Sequence, residues 1–241
     1  MRTIIQERRS EIGDRGDMLS SLLPVVDTEG DGHMLTDRQV LDEMLTLFHA
    51  GYDSSAAGLT WTWHLLATHP EIVARAAEEA AQVIGVRGPD YDHKYTQQVI
   101  QESLRLYPPV WILMTRQAVQ DTHLARYPIR KGSWVYLIPW ATHRSERWFP
   151  EPLRFDPERF STERIGTIPQ HAYFPFGLGP HRCLGERFAM VEMTLAVATV
   201  LQHFRISCAA GFDEAEVEPH TAIRPRKGLH VQVEAIQCTG E

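Results

Sequence analysis

The alternation of apolar and polar positions divides the chain into a helical front, a β-rich middle and a mixed end. Residues 3–23 predict the end of one helix and a short second one, interrupted between Gly13 and Asp17, where glycines and aspartates favour a bend. A polar loop, DTEGDGHMLTD, precedes a long helical run. Thr36 or Asp37 is placed to cap that run, and His69-Pro70 to stop it near Thr68. At about 1.5 Å of rise per residue the helix reaches roughly 50 Å, enough to cross a domain. Such a span predicts a central, buried helix. Glu71 to Ile84 reads as an amphipathic, alanine-rich helix closed by Gly85, and Tyr95 to Leu106 as another that Pro108-Pro109 terminates.

From Val110 to Ile138 the texture changes. Short runs of Val, Ile, Trp and Tyr, punctuated by Asp121, Pro128 and Lys131-Gly132, predict a small antiparallel sheet. Residues 144–175 are dense in Pro, Arg and Phe and predict a long irregular segment, a feature usually functional in a compact domain. The run ERFAMVEMTLAVATVLQHF then carries apolar residues at helical spacing from Phe188 through Leu195 to Leu201. A Glu-rich turn and a strand pair around Thr221 to Ala235 end the pattern. The fold class is mainly α with small antiparallel β-sheets.

Composition narrows the function. The chain has 241 residues, 43% of them hydrophobic, which is enough for a real core. The formal net charge is -7 and no stretch is basic, which excludes a nucleic-acid footprint. Three cysteines, Cys183, Cys208 and Cys238, have no short spacing and make no disulfide framework. His181 and Cys183 lack the second ligand pair that a zinc cage needs. This cysteine usage suits a reducing, cytoplasmic setting. The N-terminus is charged from the start and has no signal-peptide core. No apolar run reaches the ~18 residues of a membrane segment.

The densest chemistry lies in FGLGPHRCLG, Phe176 to Gly185. Glycines and a proline make an irregular loop, and Cys183 stands where it gives way to the helical pattern. A cysteine at a helix start meets unpaired N–H groups and the positive end of the macrodipole, which favour the thiolate. Phe176, Gly177 and Gly179 are expected to hold the sulfur in an apolar, close-packed pocket. That is the setting of a thiolate ligand to haem iron. The string resembles the cysteine loop of the cytochrome P-450 family, F-x-x-G-x-x-x-C-x-G, at every fixed position.

Three further motifs extend the resemblance, in the family's order, from Ile4 to Val233. Glu102 and Arg105, three apart on one helix face, match the family's E-x-x-R element. Arg159 in DPERF matches the third member of its buried triad. HAGYDSSA, residues 49–56, resembles the oxygen-activation segment (A/G)-G-x-(D/E)-T, with Ser54 where the family usually has threonine. The resemblance implies a largely apolar organic substrate, O2, haem b with Cys183 as its axial ligand, and electrons from NAD(P)H through a ferredoxin or flavoprotein partner. It implies that Ala50 and Gly51 admit haem and oxygen to the backbone, and that Asp53 and Ser54 relay protons. Arg116 and His181 correspond to cations for the haem propionates, with His181 where most members have arginine. Val110 to Leu113 are implied to approach the substrate side. Arg182 and Arg187 would face the redox partner.

The resemblance begins in the middle of the family. Residues 1–241 correspond to a C-terminal haem-binding portion of a single domain, with an expected N-terminal portion absent from this sequence. Two alternatives therefore accompany a catalytic reading: a non-catalytic remnant, or one half of a split enzyme that needs an N-terminal half-protein.

Overall fold

Two short helices open the chain, α1 (Arg2–Ser10) and α2 (Met18–Leu22), and the bend between them carries Gly13 and Gly16 at positive φ. The computed structural model describes residues 2–11, 13–26, 28, 32–82, 93–212 and 214–236. Ile84, Gly85, Cys238 and part of the loop before Met34 lie outside the described residues. The next helix, α3 (Asp37–Thr68), has 32 residues. Its start is a reciprocal capping box: Thr36 Oγ1 accepts from the Gln39 N–H at 3.3 Å, and Gln39 Oε1 accepts from the Thr36 N–H at 2.9 Å. The anticipated bounds are therefore met at both ends.

Contacts divide the chain into two compact units, Met1–Asp53 and Ser54–Glu241. The first has a small core of Ile5, Leu19 and Val40, with Leu23, Leu35, Leu41 and Met44 packed around it. Arg8 donates to both carboxylate oxygens of Asp17, at 2.8 and 2.9 Å. These bonds hold the Asp17 carboxyl well below the usual range. Asp17 also caps α2 by accepting from the Ser20 N–H.

The expectation of a central, buried α3 is corrected in part. Residues 48–52 are exposed, whereas Ala57, Trp61, Leu65, Leu66 and Ala67 are buried. Within the first unit, the small core engages only one side of the helix near Val40. Phe48 and Tyr52, one turn apart, stack on each other with centroids 6.2 Å apart.

The second unit contains most of the hydrophobic interior. Helices α4 (Pro70–Gln82), α5 (Lys94–Leu106) and α7 (Glu186–His203) surround a cluster including Leu66, Ile72, Ala76, Val99, Ile100, Leu104, Met193, Val197 and Leu201. Gly58 permits the closest approach in this region. A Cβ there would stand 3.1 Å from Met193 Sδ and 3.5 Å from Leu104 Cδ2. Trp61 stacks on Tyr107 at 4.0 Å and donates its indole N–H to the Ile223 carbonyl, tying the end of α5 to the C-terminal segment.

The β-elements are smaller and more divided than the pattern suggests. In place of one sheet over Val110 to Ile138 there are two ladders. One pairs β1 (Arg116–Gln117) with β4 (Trp134–Val135), and the other pairs β2 (Thr122–Leu124) with β3 (Tyr127–Ile129). A short helix, α6 (Pro139–His143), follows directly. The C-terminal strand pair is also corrected. β5 (Phe204–Cys208) pairs antiparallel with β8 (Val231–Ala235), and β6 (Val217–Glu218) with β7 (Arg224–Pro225). β5 escapes a periodicity reading because it begins at Phe204, directly after α7 ends at His203, with no turn residue to mark the change. In α7 itself Phe188 and Leu195 face solvent, while Met193, Thr194, Val197, Ala198 and Leu201 are buried. Apolar residues nearly encircle this helix, so spacing alone does not choose its buried face. Among the described residues no helix is long and apolar enough to cross a membrane.

Helix α5 carries the triad candidates, and its start is fixed from outside. His93 provides no side-chain cap. Glu79 of α4 does so instead: Oε1 accepts from the Tyr95 N–H at 2.7 Å, and Oε2 from the Thr96 N–H at 2.9 Å and the Thr96 hydroxyl at 2.7 Å. A carboxylate there satisfies orphan donors and the helix dipole together. Glu79→Ala is expected to cost about 1–2 kcal/mol, read from the urea unfolding midpoint. A change below about 0.3 kcal/mol contradicts a capping role.

Candidate functional site

The buried ionic cluster begins with a helical spacing. Glu102 and Arg105 lie three apart on α5, and both side chains are fully shielded from solvent, at 0% exposure. Arg105 grips the carboxylate in a fork, Nε to Oε2 at 2.6 Å and Nη2 to Oε1 at 2.8 Å. Its remaining donors go to backbone carbonyls: Nη1 to His143 and Pro152, both at 2.7 Å, and Nη2 to Arg154 at 3.2 Å. Arg159 enters from a 3₁₀ turn over Pro157–Phe160, with Nε 3.3 Å from Glu102 Oε1 and Nη2 donating to the Glu151 carbonyl. The Asp156 N–H also donates to Glu102 Oε1, at 3.0 Å. The three residues singled out by sequence therefore meet. They convert the irregular segment over residues 144–175 into an ordered one.

Burial pushes the Glu102 carboxyl above its ordinary range, while Arg105, the Asp156 amide and Arg159 pull it down. With two guanidinium groups and a backbone amide donating to it, the carboxylate is the form this site is built for.

His143, which the sequence pattern did not single out, sits beside this cluster. It ends α6, is fully buried, and packs against Phe149, Phe174 and Tyr173. The Phe174 N–H donates to His143 Nε2 at 3.0 Å, which leaves Nδ1 to carry the proton and donate to the Arg105 carbonyl at 3.2 Å. Burial, with Arg105 and Arg144 nearby, pushes its pKa down to about 3. Tyr173 makes a parallel tie, its hydroxyl donating to the Gln101 carbonyl at 3.0 Å. Burial raises that phenol well above its ordinary value.

The chain passes from Phe174 directly into the cysteine loop. The Gly177 N–H donates to the Phe174 carbonyl at 3.1 Å, and the Cys183 N–H to the Phe176 carbonyl at 2.8 Å. Gly177 and Gly179 have φ of +77° and +67°. At Gly177 a Cβ would meet the His181 carbonyl at 3.3 Å, with Leu113 Cδ1 3.9 Å away. Glycine is therefore required there by both conformation and space.

A sequence profile for the family described as Cytochrome P450 matches residues 1–233. The chain belongs to the cytochrome P450 family. It is 38% identical over 229 residues to a protein named cyclooctatin synthase from Streptomyces melanosporofaciens, covering 93% of this chain and 48% of that protein. It is 36% identical over 228 residues to pentalenene oxygenase of Streptomyces avermitilis, covering 93% of this chain and 50% of the relative. The crystal structure of the cytochrome P450DA heme domain is similar with a TM-score of 0.87 and 30% identity, over 98% of this chain and 53% of that one. This P450 chain thus spans about half the length of the curated relatives it matches.

Other expected P450 site residues divide by location. Phe176, Gly177, Gly179, His181 and Cys183 share one loop. The expected enclosure of the sulfur is corrected: Cys183 is exposed, as are residues 178–182 and 184–185. Helix α7 starts at Glu186, with Gly185 at its N-cap, so the sulfur lies before the first turn and the loop faces outward. Leu184 is 89% exposed. His181, in a 3₁₀ turn, and Arg116, on β1, are also exposed, and Arg116 donates to the Met114 and Thr115 carbonyls. Arg182 pairs with Glu186 at 2.7 Å, which offsets part of the positive surface, while Arg187 is exposed. Ala50 and Gly51 lie on the exposed stretch of α3, and Asp53 and Ser54 are half-buried at consecutive positions of the same helix.

The P450 loop suits a thiolate-bound haem. Its accessible sulfur is a soft donor, its glycines keep side chains off the backbone, and neighbouring Leu178, Leu184 and Phe188 are exposed apolar residues. Glu79 and His143 are the important residues that sequence reasoning misses. Both are polar groups whose partners stand 16 to 38 positions away.

Removing charge from the cluster leaves buried guanidinium groups uncompensated. Glu102→Gln is expected to cost about 3–5 kcal/mol in urea unfolding, and a loss under about 1 kcal/mol contradicts the buried pairing. The depressed pKa of His143 has a definite sign. The unfolded imidazole takes up a proton below about 6.5, but the folded one does so only near 3. Its contribution is therefore complete above pH ~6.5 and is lost as pH falls towards 3. His143→Gln should flatten the acid limb of stability between those limits, and an unchanged limb contradicts a buried neutral His143.

Proposed function

We propose that this chain carries the thiolate-bearing part of a haem monooxygenase that inserts one atom of O2 into a largely apolar organic substrate. The observation that carries the reading is the loop of Cys183, tied through Phe174 to the buried cluster of Glu102, Arg105 and Arg159. Cys183 is the residue that would hold haem b, through its thiolate. A haem so ligated supplies activation of dioxygen, favoured by electron density from the thiolate.

The chain's own residues have distinct parts in this reading. Cys183 Sγ would hold the iron as thiolate, and Gly177 and Gly179 keep the loop backbone clear of side chains. Arg116 and His181 offer positive or hydrogen-bonding groups to the two propionates. The Asp53 carboxyl and the Ser54 hydroxyl, consecutive on α3, would hold and pass protons, as the family resemblance implies. Serine keeps the hydroxyl of the usual threonine but lacks the methyl that restricts its rotamers. Ala50 and Gly51 leave room beside them. Electrons come from NAD(P)H through a ferredoxin or flavoprotein, with Arg187 and the part-neutralised Arg182 on the docking side.

Relatives named pentalenene oxygenase and cyclooctat-9-en-7-ol 5-monooxygenase support a substrate with a large hydrocarbon portion. The exposed, stacked aromatic pair of Phe48 and Tyr52 on α3 favours a second reading, in which stable haem binding requires a complementary polypeptide. Haem stoichiometry on isolation separates the two.

The central test is the spectrum of the haem-loaded, reduced, carbon monoxide-bound protein. The expected result is a far red-shifted Soret band that Cys183→Ala abolishes. Haem bound without that band, or a band that survives Cys183→Ala, overturns thiolate ligation by Cys183.

A further inference from the structure

Helix α5 ends at Leu106, so the Arg105 carbonyl is among the last that find no partner within the helix. His143 Nδ1 donates to it, and on the opposite side of the ring Nε2 accepts from the Phe174 amide. Both bonds are buried, and one imidazole makes them in a single tautomer. The ring is held in place by an aromatic cage, stacked on Tyr173 at 5.4 Å and edged by Phe149 and Phe174. Its own backbone carbonyl accepts from Arg105 Nη1 at 2.7 Å. His143 is thus joined to Arg105 twice, by side chain and by main chain.

What lies beyond Phe174 gives this joint its significance. The Phe174 carbonyl accepts from Gly177, whose positive φ turns the chain, and the Phe176 carbonyl accepts from Cys183. Two short backbone bonds therefore separate the amide held by His143 from the residue that bears the sulfur. Tyr173 makes a second tie from this segment to α5, but through its own hydroxyl to the Gln101 carbonyl. It leaves the Phe174 amide to His143.

We propose that His143 is a positioning residue for the cysteine loop, bridging the Arg105 carbonyl and the Phe174 amide so that the fixed Glu102–Arg105 pair sets the place of Cys183. Its spectral consequence rests on the haem-thiolate reading, whereas its effect on loop order does not. The groups facing the ring from packed elements are Arg105 of α5, Arg144 just after α6, and the Tyr173 phenol. No acidic side chain among them would stabilise an imidazolium, which agrees with a neutral, bridging ring.

Two substitutions separate the two bonds. In His143→Asn the amide nitrogen takes the place of Nδ1 and keeps a donor for Arg105, but nothing reaches the Phe174 amide. In His143→Gln the longer side chain brings an oxygen towards the place of Nε2 and keeps an acceptor for Phe174. Amide hydrogen exchange on the full chain is the first readout. In His143→Asn, protection at Phe174, Gly177 and Cys183 should fall about tenfold or more, while the amides of α5 stay within about twofold of wild type. His143→Gln should retain most of the loop's protection. The second readout is the haem-loaded, reduced, carbon monoxide-bound spectrum. The share of red-shifted species should drop in His143→Asn and return in His143→Gln.

Equal loss of loop protection in both variants makes the ring a packing element and overturns the proposal. So does undiminished protection in His143→Asn. Unchanged α5 protection distinguishes a loosened loop from an unfolded chain. If wild type lacks the red-shifted band, the haem-thiolate reading fails, and the exchange comparison still decides the role of His143.

Discussion

One carboxylate, Glu102, organises the second unit. Buried on α5, it receives two bonds from Arg105, one from Arg159 and one from the Asp156 amide. Its partners come from segments more than fifty positions apart, and the spare donors of Arg105 and Arg159 are used on backbone carbonyls of residues 143–154. A charged cluster in an apolar interior is costly unless every donor and acceptor is matched. That demand gives a proline-rich segment a specific course, which its own local preferences would not select.

The same segment leads to the chemistry. His143 and Tyr173 join it to successive turns of α5, and the chain then turns through two positive-φ glycines to Cys183. The result is a rigid support with an exposed end. Around Glu102 almost nothing is accessible, whereas around Cys183 nearly every residue is. A sulfur that must meet a large ligand needs access, and a ligand bond of defined geometry needs a stiff base. The arrangement supplies both.

Much of this was legible in the sequence, for local reasons. Helix α3 was readable at both ends because Thr36 and Asp37 are capping residue types and His69-Pro70 interrupts the run. Glu102 and Arg105 were readable because a spacing of three places them on one helix face, and family resemblance added Arg159. The cysteine loop was readable because its glycines and cysteine form one contiguous string. Long-range matches were not. Glu79 and His143 look like ordinary polar residues until packing brings α4 to the start of α5 and α6 to its end. Strand β5 was hidden because it starts at the residue after α7 ends, with no turn residue between them. The exposure of Cys183 was missed because a loop's direction depends on its surroundings, not on its composition.

The support beneath the cysteine loop requires that the buried charges act as one network. A double-mutant cycle with Glu102→Gln and Arg159→Gln, measured by urea unfolding of the full chain, tests this across the 3.3 Å contact that joins α5 to the irregular segment. A coupling energy of about 1 kcal/mol or more is the predicted result. Additivity within about 0.3 kcal/mol would show that the two residues contribute independently, contradicting a shared lock beneath the cysteine loop.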